Sequence, residues 1–109
     1  MSVLAGLFLI AHGLVHLAVW VAPQPPEVPF DSRHSWLLGD AGAPSRVLAV
    51  AACALFILAG ILVVAGAGLG AGLAVAGAVA SLALVSLTFN RWFVFAIAVN
   101  VAILVVAIG

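Results

Sequence analysis

His12 and His16 stand four residues apart in an otherwise apolar run, a spacing that puts both imidazoles on one face of a helix. Two rings so placed could begin a metal site, line a polar ligand pocket, or fix helix register by hydrogen bonding. A metal site needs at least one further ligand, and Asp31 and His34 are the candidates beside His12 and His16. Haem suits a single helix poorly, because its two axial ligands approach opposite faces of the macrocycle; a haem shared between two chains would avoid this. The other polar side chains within apolar stretches are Cys53, Ser81, Ser86, Thr88 and Asn100. Polar groups at membrane depth are expensive and default to a functional reading.

The elements that must carry these residues follow from composition. Of 109 residues 68% are apolar and 6% charged, with three Arg and no Lys. A soluble domain carries about a quarter charged residues. The composition therefore excludes a soluble globular enzyme, a nucleic-acid binder and a disulfide-stapled module. A span needs about 20 apolar residues, and four runs qualify: 3–21, 47–65, 69–89 and 92–109. The first is read as a retained helix, since no basic residue precedes it and "VWVA" is a poor cleavage site. Continuous runs exclude a β-barrel, which needs alternation. Short connections at 66–68 and 90–91 force antiparallel neighbours. The expected fold is all-α: one transmembrane domain, an integral membrane four-helix antiparallel bundle.

Every acidic residue and every Pro falls in the one long connection, 22–46. Its Pro-rich start predicts an extended segment, and "DSRHSWLLGD" a short interfacial turn or helix capped by Asp31. Arg33, His34 and Trp36 could then roof a pocket below. His12, His16, Cys53, Ser81 and Asn100 all lie within about nine residues of the long-loop end of their runs, at ~1.5 Å per residue. The opposite half of the runs has no comparable polar group, so a polar pocket is expected to open toward the long loop. His12 and Asn100, at similar depth, are expected to share a hydrogen bond. Arg33, Arg46 and Arg91 lie on the long-loop side, which puts that loop in the cytoplasm and both termini outside.

Two Gly-rich features need separate readings. "VVAGAGLGAG" lacks the strand before it and the acidic residue after it that a dinucleotide fingerprint requires, so it reads as a helical hairpin turn. In the third run, Gly70, Gly77, Ser81 and Thr88 make one small stripe, and Gly72, Ala76 and Ala80 another. Small faces let membrane helices approach closely. They predict packing within the chain, with a homo-oligomer or larger membrane complex as the alternative use.

"AGLFLIAHGLVHL", 5–17, resembles the opening helix of DoxX-like bacterial membrane proteins, with Gly6, Phe8, His12, Gly13 and His16 at the matching positions. His16 stands where that family usually has Lys, and the Pro-rich loop is long for it. The resemblance covers about a tenth of the chain. It implies a small four-helix protein of the bacterial inner membrane, an accessory to a quinone- or thiol-linked redox complex and not an enzyme by itself. Two other readings stay open: a stand-alone transporter or channel with a His/Asn-lined pocket, and a membrane haem or metal protein. The runs hold no carboxylate, which argues against both a proton-coupled exporter and a hydrolytic triad.

Overall fold

The computed structural model describes residues 2–109. Helix α1 spans Val3–His16 and continues as a π-helical turn, Leu17–Val21; α2 spans Gly42–Val64, α3 Leu69–Leu87, and α4 Val94–Ile108, entered through a 3-10 turn at Arg91–Phe93. All four helical stretches are long and apolar enough to cross a membrane. The molecule measures 40 Å along its longest axis, close to the ~40–45 Å of a bilayer with its headgroups. Its outer surface is correspondingly apolar, with Leu4, Phe95 and Ile108 each more than 70% exposed. Such a surface marks contact with lipid or protein.

Boundaries follow local chemistry. Ser2 caps α1 by accepting from the Ala5 amide, satisfying one of the orphan donors of the first turn. The second helix begins at Gly42, earlier than the apolar run at 47, because Pro44 fits a first turn whose amides lack partners anyway. It ends in a Schellman motif: Gly66, at φ +78°, allows Ala67 N–H to bond Leu62 O and Gly66 N–H to bond Val63 O. That is the structural role of the Gly-rich turn. The third helix stops at Leu87, short of residue 89. Asn90 then starts the next turn by accepting from the Trp92 amide.

The segment expected to be a turn or interfacial helix is a small hairpin. Strands β1 (His34–Ser35) and β2 (Gly39–Asp40) pair antiparallel. Gly39 takes φ +77°, a conformation that a helix does not use and glycine adopts freely. Asp31 forms an Asx turn with the Arg33 amide and caps no helix.

Helix α1 packs on α2, α2 on α3 and α3 on α4. Glycine makes the first two seams close. A Cβ at Gly60 would lie 2.5 Å from Gly6 O, one at Gly13 would lie 3.0 Å from Cys53 O, and one at Gly77 would press on the Phe56 ring. Gly70, Gly77, Ser81 and Thr88 are buried, so that stripe serves packing within the chain; Gly72 and Ala76 are exposed. The apolar core, centred on Leu9, Phe56, Ala74 and Ala78, fills the space between α1, α2 and α3.

Candidate functional site

Where α1 faces α4 the backbones stay apart, and the gap is an open lateral cleft of about 410 Å³. A second hollow of about 210 Å³ continues it along the same two helices and shares Phe8 and Val99 with it. The larger volume lies in the range of small-molecule pockets.

One row of residues on α1 builds the wall. Phe8, His12, His16 and Trp20 follow one another at intervals of four. Phe8 and His12 stack with ring centroids 5.9 Å apart, His12 and His16 meet edge-on at 5.0 Å, and His16 stacks on Trp20 at 5.6 Å. In an α-helix a four-residue step overshoots a full turn by about 40°. The π turn at Leu17–Val21 is wider and removes that drift at the Trp20 end, where π turns of this kind often accompany function. Phe56 of α2 closes the ladder from behind, 4.9 Å from His12.

Four polar side chains lie at the floor in one connected chain. Asn100 Nδ2 donates to Ala96 O at 3.0 Å and to Ser81 Oγ at 2.8 Å. Both amide hydrogens are thereby used, and Oδ1 faces His12 Nε2 at 3.2 Å, so that nitrogen donates. His16 Nδ1 lies 2.8 Å from the His12 carbonyl oxygen. A carbonyl only accepts, so Nδ1 carries the proton and Nε2 accepts from the Ser81 hydroxyl at 2.7 Å. Every direction is fixed by two backbone carbonyls. Deeper toward the loop, Trp20 Nε1 donates to Thr88 Oγ1, which donates in turn to Leu84 O. The chain thus ties α1 to α3 and α4 through polar contacts and leaves the cleft beside them open.

The structure brings His12, His16, Ser81 and Asn100 together. It places the other expected site residues elsewhere. Cys53 is buried on α2, its carbonyl against Gly13, and does not line the cleft. Arg33, His34 and Trp36 are exposed, and the Trp36 indole donates to Ser86 O at the end of α3. They do not roof the cleft; Phe30 of the long loop does, packed 5.1 Å from Phe93. The loop is fastened there because Gln24 donates to Ala18 O and Val19 O and Ser32 donates to Val19 O, covering the carbonyls left free at the end of the first span. Asp31 and His34 lie in this loop region, and no group of three His, Cys, Asp or Glu side chains close enough to hold a metal occurs among the described residues. Both nitrogens of His16 are engaged, so chelation by the His pair would break the chain.

Aromatic residues missed from sequence complete the cleft: Phe8, Phe30, Trp92, Phe93 and Phe95. In a chain this apolar, an aromatic carries no signal of its own. The four-residue interval from Phe8 through Trp20 was the available clue. No protein-family model, curated protein or solved structure matches the chain.

Proposed function

We propose that this is an integral multi-pass protein of the bacterial inner membrane, its long loop cytoplasmic and both termini outside. In this reading it serves as an accessory or interaction subunit of a redox complex and holds a ring-bearing lipophile of the quinone class in the lateral cleft. The redox assignment rests on the resemblance of the first helix to DoxX-like proteins. The observation that carries the ligand is the cleft itself, apolar and aromatic on its walls, with a single polar strip at His12, His16 and Ser81. Apolar walls with a few placed polar groups are the usual make-up of a small-molecule site, and an opening toward lipid admits a ligand dissolved in the bilayer.

The test is purification of the tagged chain from its native membrane in mild detergent, followed by organic extraction and a partner inventory. An isoprenoid quinone in near-stoichiometric amount, together with a redox enzyme, is expected. Quinone no higher than in an unrelated four-helix membrane protein prepared alongside would overturn the ligand. A Soret band or stoichiometric metal in the same sample would select the haem or metal reading. Reporters fused after Gly109 and inserted near Gln24 check orientation: activity is expected outside for the first and inside for the second.

A further inference from the structure

The hydrogen-bond chain leaves one loose end, and its polarity is determined. Because Ala96 O and Ser81 Oγ take both hydrogens of the Asn100 amide, Asn100 Oδ1 is an acceptor and His12 Nε2 carries a proton. In a neutral imidazole with Nε2 protonated, Nδ1 holds a bare lone pair. That atom has no partner among the described residues. It is not sealed in the core either: there, the buried side-chain atoms without a partner are Ser45 Oγ and Asn90 Nδ2, and His12 is half-buried on the cleft wall. A lipid acyl chain lying in the cleft would offer this acceptor nothing.

We infer that the cleft selects, among ring-bearing lipophiles, a phenolic hydroxyl that donates to His12 Nδ1, and so takes a quinol in preference to the corresponding quinone. The inference rests on the reading of the cleft as a site for such ligands and adds which form it prefers. A quinone presents carbonyl oxygens only, and two acceptors facing each other at membrane depth leave both unsatisfied. A quinol presents the missing donor. The ring is required by the aromatic walls: Phe8 stacks on His12 at an interplanar angle of 4°, and Trp92 and Phe95 face the same space, so a flat ring continues the ladder where a saturated one would not. Ser81 does not compete for the ligand, since its hydroxyl is committed to His16.

The experiment uses the unaltered chain in detergent micelles, labelled with ¹⁵N-histidine, because imidazole nitrogen shifts distinguish bare from protonated atoms. His12 and His16 are expected as opposite tautomers, bare at Nδ1 in the first and at Nε2 in the second. Titration then compares 2,3,5-trimethylhydroquinone, its dimethyl ether, trimethyl-p-benzoquinone and 3,3,5-trimethylcyclohexanol. The hydroquinone is expected to bind roughly fivefold to tenfold more tightly than the other three, the scale of one hydrogen bond, and to move the His12 Nδ1 resonance. A proton on His12 Nδ1, or equal affinity for hydroquinone and benzoquinone, would overturn the inference and leave the cleft reading standing. Equal binding of the cyclohexanol would overturn the requirement for a phenol. Failure of every ring to bind would sink both the inference and the reading beneath it.

Discussion

Helix α1 has two kinds of neighbour, and the contrast between them organises the molecule. Toward α2 it presents Gly6 and Gly13, and the backbones meet with no room for a methyl group. Toward α4 it presents Phe8, His12 and Val15, and the helices stand apart around a cleft. In lipid there is no hydrophobic drive to bring helices together; close van der Waals contact and interhelical hydrogen bonds supply it. The first seam uses contact; the second uses one direct hydrogen bond, His12 to Asn100, and indirect links through Ser81 of α3 at the floor. Only the second leaves volume for something else. Small residues therefore make the scaffold here, and large ones make the site.

The contrast is broken most forcefully on the close-packed side. Gly77→Leu drives four carbons into a space where even a Cβ would lie 3.1 Å from the Phe56 ring. Because Phe56 backs both histidines, a loss of about 3 kcal/mol is expected, read as thermal unfolding in detergent. Ala107→Leu, near the end of α4, should cost much less; equal tolerance would mean that the α2–α3 seam is looser in the membrane. Gly60→Ala is the finer version. Its methyl would meet the Gly6 carbonyl, a backbone atom that cannot swing aside, so about 2 kcal/mol is expected. Gly72→Ala, whose Cβ meets nothing, should be neutral or slightly stabilising.

What the sequence made legible divides along the same line. The number of spans and the joint depth of His12 and Asn100 could be read from residue types and from distance along each run. Depth, however, says nothing about azimuth. Cys53 shares that depth but is buried on α2 and lines no part of the cleft, and only the packing of α2 decides this. The loop hairpin was hidden because Asp31, Ser35 and Gly39 suit a capped turn and a hairpin equally; the positive φ at Gly39 separates them. The aromatic walls were hidden because burying a Phe and exposing it to lipid look alike in an apolar chain.

On the cleft side the expected effects are smaller and more specific. Ser81→Ala removes the acceptor of Asn100 and the donor to His16 at once. It should cost about 1–2 kcal/mol, since buried partners are left unpaired. A cost near zero would mean that water replaces the hydroxyl and that the floor is wet.

Among the cleft residues, the smallest stability effect belongs to the one with the most to do there. His12→Leu deletes one hydrogen bond, His12 Nε2–H to Asn100 Oδ1, and keeps an apolar contact with Phe56. It leaves the fully buried Asn100 Oδ1 without its donor, so about 1 kcal/mol is expected, and the variant should still fold. Asn100→Leu should cost more, because it also strips Ser81 of its donor. Once Asn100 is gone, the His12 side chain has no interhelical hydrogen bond left to lose among the described residues. The double variant should therefore unfold with Asn100→Leu alone, and the shortfall from additivity measures the single bond between the two. Full additivity would show that α1 and α4 are not joined at this point, and the cleft would then lack a fixed floor. Retention of ring ligands separates structure from function in the same samples: His12→Leu should lose the preference for a hydroxyl donor while keeping its melting temperature within a few degrees.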